Sequence, residues 1–565
     1  MGSYLNPSNA NFLEILRMPI FVDKTPILSV INRFIDQCNK YICVARPRRF
    51  GKTIAANIIS AYYSKGCDSR AVFEKFKIAK DVSFESNLNK FNVIKIDLNA
   101  EYETCRKKEC VLENLQDKVI TEFQEQFPNI KIKDYMSIAE AMQTVYEETG
   151  EQFVILIDEY DVFVREQVKG KISDNLFDEY LGFLNGLFKN DTLKPAIALA
   201  YLTGILPIVR DKIQYDGSRH ASLKALRPPF SRFEVNRESK LNVFEEYTML
   251  EARNLTELVG FTENEVLDLC NEYKIDFDEC KRWYNGYRLT QKKVDAQNNV
   301  KEVFYDIYNP RSLILSIEKR EFGNYWSSTS TYQVITEKLN LNFDGTKDAV
   351  VQMLGGESVD VDADSFLNTM TDFHNLNDVF TYLIHLGYLV YNRKQKTCRI
   401  PNGEIRSEWQ RAVNDNEEYK VTNGIIKHSK ELLELTFEGD EKAVAAALDT
   451  AHIHVTSNRS YNNEDALQSA IYLSYMYALN KYTIVREMTA GKGFADVTFV
   501  PYVPNVPAMI VELKHNKDER SAINQIKEKK YFESLAHYKG DLLFIGINYD
   551  EDTKTHTCKI EKFVK

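Results

Sequence analysis

No stretch of the chain approaches the roughly 20 consecutive apolar residues that a helix needs to span a bilayer, so a membrane protein of that kind is not expected. A secretory leader is not expected either, because MGSYLNPSNANFLEIL has neither a basic start nor an apolar run. Cysteine is present without order. The nine thiols include no C-x-x-C, and Cys38/Cys43 and Cys105/Cys110 have no histidines at zinc spacing. That argues against structural zinc. Free thiols in a reducing compartment are the simplest reading, so a cytoplasmic location is expected. Excess positive charge is missing too. A net charge of −10 speaks against indiscriminate coating of nucleic acid, although a local basic face can act within an acidic protein.

What is present is a long chain with ordinary globular composition. Its 565 residues are 44% hydrophobic and 27% charged, too many for one hydrophobic core. Internal repeats and low-complexity linkers are absent, so boundaries must come from changes of pattern. YICVA (41–45), FNVIKIDL (91–98), QFVILIDEY (152–160) and AIALAYLTGI (196–205) read as near-continuous apolar strands with helical stretches between them. That pattern suggests a parallel sheet covered on both faces. From about 240 to 435 the pattern turns mostly helical, and the last 130 or so residues return to mixed structure. In that last part helices are expected near 463–480 and 519–535, with strands near 482–489, 494–500, 508–514 and 541–548.

ARPRRFGKT (45–53) ends as a phosphate-binding loop ends. The general pattern G-x-x-x-x-G-K-[ST] would put a glycine where Arg46 stands. Gly51 lets the backbone turn close to phosphate, Lys52 would contact the β- and γ-phosphates, and Thr53 would ligate Mg²⁺. Apolar residues then recur at helical spacing from Ile54 to Tyr63, so strand, loop and helix follow in the required order. VILIDEYD (154–161) supplies the complement. Asp158 ends a buried strand and would hold Mg²⁺, while Glu159 would polarise the attacking water. Asp161 would assist or cap the next helix. Thr203, before Gly204, is either a sensor of the γ-phosphate or part of a strand running into a turn. Arg46, Arg48 and Arg49 would charge the phosphate surroundings, or pair with acids of a neighbouring segment, with Phe50 completing the loop. Arg46 is tolerable in place of glycine only if its φ is negative.

The second constellation is FADVTFVPYVPNVPAMIVELKHNK (494–517). Strand alternation puts Ile510, Glu512 and Lys514 on one face and Val511 and Leu513 on the other. A carboxylate and a lysine two apart on an apolar strand are costly to bury unless they share a task. Asp496 begins the neighbouring strand. The arrangement resembles that of PD-(D/E)xK nucleases, and the resemblance implies that Asp496 and Glu512 bind Mg²⁺ while Lys514 orients a water, with Glu464 reaching the same pocket. Lys492, Lys517, Lys527, Lys529 and Lys530 would either track phosphates or simply be solvated.

FVDKT (21–25), RPRRFGKT, LIDEYD, TGIL (203–206), GFTENEV (260–266), KRWYNGY (281–287) and YNPRS (308–312) together resemble the AAA-ATPase-like family, whose members carry a C-terminal nuclease-like domain. That family has the same arginine-rich loop, so Arg46 looks like a family feature, and the loop also resembles that of the STAND ATPases. D…ExK followed by SAINQIKEKKY (521–531) is similar to PD-(D/E)xK nucleases, and the resemblance assigns Gln525 a catalytic place. Asp23 and Lys24 fall within FVDKT without a derivable contact, and Arg232 would be a phosphate-sensing arginine.

The resemblance implies an α/β multidomain protein. A P-loop NTPase sheet (1–238) would be followed by a helical lid or winged-helix-like region (239–345) and a helical connection (346–435). A restriction-endonuclease-like α/β domain (436–565) would end it. The expected function is an ATPase coupled to a Mg²⁺-dependent nuclease acting on DNA or RNA. The alternative is an ATP-operated switch or scaffold that binds nucleic acid or protein without cutting. ATP and Mg²⁺ are the expected cofactors, and a homo-oligomer is a further expectation.

Overall fold

A computed structural model describes residues 2–207, 243–294, 299–326, 332–363, 373–416, 419–455, 471–472, 474–490, 493–501, 503, 506–535, 538 and 540–563. The chain divides into two compact units, one of residues 1–330 with 360–405 and one of 331–359 with 406–565. Residues 346–435 are thus shared between the two units. No described helix is long and apolar enough to cross a membrane.

In the first unit the four expected strands form one sheet with a fifth, Glu245–Tyr247, which the helical reading of the region after 240 did not include. They are β1 (Tyr41–Ala45), β2 (Asn92–Asp97), β3 (Phe153–Asp158), β4 (Ile197–Gly204) and β5 (Glu245–Tyr247), in the order β2-β3-β4-β1-β5. All four pairings are parallel. Every residue of β1, β3 and β4 is buried, as central strands covered on both faces require. Helix α1 (Lys52–Tyr63) follows β1, and α2 (Val162–Val168) follows β3. β4 lies between β1 and β3, and its register sets Val44 beside Thr203 and Ile157 beside Leu202. The phosphate loop and the acidic strand end therefore flank Thr203 at the carboxyl edge of the sheet, where open α/β sheets bind ligands.

The middle of this unit holds α3 (Glu263–Tyr273) and helices Phe277–Tyr284, Pro310–Lys319 and Leu376–Leu386. It also holds a long antiparallel hairpin, β6 (Tyr287–Val294) with β7 (Val300–Tyr308), which the helical reading of this region did not anticipate. Most of β7 is exposed or half-buried, with burial only at Ile307 and Tyr308. Its sequence therefore lacks the one-sided apolar alternation by which a strand is recognised.

The second unit carries β8 (Tyr482–Ala490), β9 (Gly493–Pro501), β10 (Ala508–His515), β11 (Leu542–Asp550) and β12 (Thr555–Phe563), arranged in chain order. Only β10 and β11 run parallel, joined through α4 (Glu519–Glu528). Met509, Val511 and Leu513 pack on one face with Tyr475 and Phe499. Ile510 packs on the other with Ile523 and Ile526 of α4. The helix expected to run to 535 stops at Glu528. Lys530 adopts φ 55°, and a short 3-10 turn, Tyr531–Leu535, folds back. β12 was not anticipated. It is an edge strand with charged residues interspersed, and few of its positions are buried.

Candidate nucleotide and nuclease sites

The backbone of the first site is set by two unusual turns. Gly51 has φ 87°, a left-handed conformation that glycine adopts without strain, just before α1 begins. Glu159 has φ 53°, uncommon for a residue with a Cβ, and ends β3 by a sharp turn. Tyr160 N then donates to Thr203 O at 2.9 Å. Gly204 is required by space. A Cβ there would lie 2.5 Å from Tyr160 Cε1.

Lys52 is buried, and its Nζ donates to Arg46 O and Pro47 O, both at 3.1 Å. The same ammonium lies 3.9 Å from Glu159 Oε1. Burial pushes the Lys52 ammonium down, against the opposing pull of Glu159 and Asp158. Thr53 is exposed on the first turn of α1. Asp158 is buried and accepts from Thr203 Oγ1 and from Glu159 N, the latter at 3.1 Å. Lys52, Glu159, Asp158 and Thr203 are therefore brought together by direct contacts. A lysine resting on the carbonyls of its own loop, an exposed hydroxyl beside it and a buried carboxylate suit the phosphates and Mg²⁺ of a nucleotide.

The arginines part company. Arg46 is directed otherwise than expected. Its guanidinium is fully buried and Nη1 donates to Ala45 O at 3.1 Å and Tyr247 O at 3.0 Å. It ties β1 to β5, and burial pushes it down to about 10. Its φ is not positive, so the missing glycine is tolerated there, while the left-handed position falls instead at Arg49, φ 71°. Arg49 Nη1 donates to Tyr325 O. Arg48 is exposed, and its charge is felt at Glu159. Phe50 is buried edge-on against Tyr287 of β6, with centroids 5.1 Å apart.

Several contacts here were not legible in motif spacing. Asp161 does not cap α2 through its side chain. Its Oδ2 accepts from Ile205 N (3.1 Å) and Leu206 N (3.0 Å), joining LIDEYD to TGIL. Arg165 on α2 reaches Glu159 Oε2 at 2.5 Å. Burial alone would raise the Glu159 carboxyl, but Lys52, Arg165 and Arg48 outweigh it and hold it below the usual range. The FVDKT and GFTENEV motifs also meet. Lys24 Nζ donates to Glu265 Oε2 (2.7 Å) and Glu257 O (2.8 Å), while Asp23 accepts from Thr25 and Lys77. Next to Gly51 a mostly apolar pocket is walled by Phe21, Phe50, Ile54, Ala55, Phe261 and Ile314. The quoted motifs contain several of these residues, but only the fold makes one wall of them.

In the second site, Glu512 is the hub. It is buried, and Oε1 accepts from Lys514 Nζ at 2.9 Å and from Gln525 Nε2. Gln525 Nε2 also donates to Tyr531 Oη at 3.2 Å, a contact made by the turn after α4. Asp496 Oδ2 accepts from Leu513 N at 2.7 Å, which holds it against β10 next to Glu512. Burial first, then the charge of Asp496, pushes the Glu512 carboxyl up to about 7 despite Lys514. Its Oε2 is buried, and no described group hydrogen-bonds to it. An orphaned buried carboxylate oxygen beside a second carboxylate suits a divalent cation. Glu464, Lys492 and Arg232 lie outside the described residues. Lys527 and Lys530 pair with Glu561 (2.5 Å) and Glu533 (3.4 Å), and Lys517 and Lys529 are exposed.

Residues 10–214 match the AAA-ATPase-like family, described as "Predicted AAA-ATPase". Residues 462–559 match the PD-(D/E)XK nuclease superfamily. A curated relative from Azotobacter chroococcum mcd 1, "Uncharacterized protein in vnfD 5'region", is 22% identical over 422 residues, which cover 72% of this chain and 71% of its own. The chain therefore carries a region similar to AAA-ATPases followed by a C-terminal region similar to PD-(D/E)XK nucleases.

Proposed function

We propose that this protein binds and hydrolyses ATP and uses that cycle to control a Mg²⁺-dependent nuclease acting on nucleic-acid phosphodiesters. The observation that carries the reading is the convergence of Lys514 and Gln525 on Glu512, with Asp496 held beside it by Leu513 N and the second Glu512 oxygen without a hydrogen-bond partner among the described residues. At the first site Lys52 would exchange the carbonyls of Arg46 and Pro47 for the β- and γ-phosphates, and the base would enter the apolar pocket beside Gly51. Glu159 would take the proton of the attacking water, and Thr203, bonded to Asp158, would report on the γ-phosphate. At the second site Lys514 would orient the water and steady charge on the phosphorane, with Gln525 fixing Glu512. Mg²⁺, held by Thr53 and Asp158 in one site and by Asp496 and Glu512, with Glu464, in the other, would supply Lewis-acid stabilisation of phosphate charge.

The test uses the full chain with single- and double-stranded DNA and RNA, in Mg²⁺ or EDTA, with and without ATP. Chelator-sensitive cleavage that disappears in Asp496→Ala and changes with ATP in the wild type but not in Lys52→Ala is the expected result. ATP binding without any metal-dependent cleavage would favour a nucleotide-operated switch or scaffold instead.

A further inference from the structure

Arg165 stands outside every motif that pointed to the nucleotide site, yet it holds that site's acids together. Its side chain is 9% exposed, with Nη2 2.5 Å from Glu159 Oε2 and Nε 3.3 Å from Asp161 Oδ2. Asp161 is itself fixed, since its Oδ2 accepts from the amides of Ile205 and Leu206 just beyond β4. The other carboxylate oxygen of Glu159, Oε1, faces Lys52 Nζ at 3.9 Å. Besides the charge of Arg48, two cations pair with Glu159, one on each oxygen, and they have different fates. Lys52 is the residue that phosphate would draw away, while Arg165 is tied to β4 through Asp161 and has no reason to leave.

We infer that Arg165 is a positioning residue for ATP hydrolysis, holding Glu159 by Oε2 so that Oε1 faces the attacking water once Lys52 has moved to the phosphates. The inference rests on the reading of Glu159 as the hydrolytic base. In that step the water oxygen bonds to the γ-phosphorus and the bond to the bridging oxygen of ADP breaks. The water proton passes to Glu159 Oε1, and Arg165 keeps its own protons throughout. Without Arg165, Glu159 on its left-handed turn would lose the cation that hydrogen-bonds it at the moment it must be aimed, while Arg48 acts on it through its charge.

The experiment compares wild type, Arg165→Ala, Arg165→Lys, Glu159→Gln and the Arg165→Ala/Glu159→Gln double variant. It measures kcat and KM for ATP, affinity for a fluorescent non-hydrolysable ATP analogue, and thermal unfolding. Arg165→Ala is expected to lower kcat about 10- to 100-fold, the scale on which loss of alignment acts. Analogue affinity should stay within about threefold, because the ground-state contacts are not made by Arg165. Arg165→Lys keeps the charge but not the fork, so its kcat should lie between those of Arg165→Ala and wild type. The double variant should be no slower than Glu159→Gln, since the two residues act as one unit. A wild-type kcat in Arg165→Ala, or a further fall in the double variant, would overturn the inference. If Arg165→Ala does not fold, Arg165→Lys decides, and wild-type turnover there is equally fatal. Full hydrolysis in Glu159→Gln would instead sink the reading of Glu159 and leave the Arg165 contacts without this role.

Discussion

Glu159 and Glu512 each follow a run of buried apolar residues, on β3 and β10, and the protein treats the two carboxyls in opposite ways. At Glu159 the penalty of burial is overcome by Lys52, Arg165 and Arg48, and the group is held below the ordinary range. At Glu512 burial is reinforced by Asp496 and only partly offset by Lys514, so the group is pushed up to about 7. The difference lies in the supply of positive charge. The first site brings its own cations, and one of them rests on backbone carbonyls that, on the proposed reading, it would exchange for phosphate. Among the described residues the second has one lysine for two acids and an oxygen without a hydrogen-bond partner, and a divalent cation is what would balance it.

The widest break in this comparison would come from Glu512→Gln. The variant keeps an acceptor for Lys514 but removes the charge that would bind metal. Cleavage of nucleic acid should fall by about a thousandfold or more, while ATP affinity is unchanged. A Glu512→Gln protein that still cuts in Mg²⁺ would show that the imbalance at this site has nothing to do with metal. Gel assays beside nucleotide titrations read both quantities.

Glu404 sharpens the same contrast at a place that touches no proposed substrate. It is buried, and its Oε1 accepts from Tyr325 N (2.9 Å) and Trp326 N (2.8 Å). Burial nevertheless pushes its carboxyl up to about 7, despite these amides, Ser312 and Arg49. A carboxyl raised on folding binds more protons in the native state, so its stabilising contribution is complete below the unfolded value near 4.5 and is lost as pH rises through about 7. Between pH 5 and 8 this group should weaken the fold by up to about 3 kcal/mol. Glu404→Gln, which retains the acceptor, should flatten that slope and be the more stable protein at pH 8. Urea unfolding at pH 5 and pH 8 measures it, and parallel slopes for the two proteins would exclude Glu404 as the source.

How far these sites could be read from the sequence follows from the same physics. The strands β1, β3 and β4 announce themselves because every position is buried, and Glu512 and Lys514 stand out because charges on such a strand are expensive. The hairpin β6–β7 and the edge strand β12 do not, since exposed strands have no apolar face to reveal. Arg46 and Arg49 sit in one loop and point to different partners, a distinction set by the left-handed turn at Arg49 and not by residue type. Arg165 was invisible because its partners are fixed by the fold of α2 against the end of β4. Tyr531 reaches Gln525 only because the chain turns back at Lys530.

A smaller effect tests the charge deficit at Glu512 directly. Mg²⁺ in place of EDTA, without nucleotide, should stabilise the second unit by about 1 to 2 kcal/mol through binding to the native state alone. In Asp496→Asn that gain should vanish. Thermal unfolding in both media reads it, and an equal Mg²⁺ response in wild type and Asp496→Asn would move the metal elsewhere.

The smallest effect separates a balanced surface from an unbalanced site. Lys527 and Lys530 belong to the second unit, but each already has an acid, Glu561 at 2.5 Å and Glu533 at 3.4 Å, in exposed surroundings. Exposed pairs of this kind are worth about 0.5 kcal/mol or less, because water solvates both partners well and long side chains resist being fixed. Lys527→Ala and Lys530→Ala should therefore shift stability by no more than that amount and leave nuclease rate within about twofold at moderate salt. If either variant instead lost cleavage together with a flatter dependence on salt, that lysine would be a phosphate contact that exchanges its acid for substrate. The charge deficit would then extend beyond Glu512 to the surface around α4.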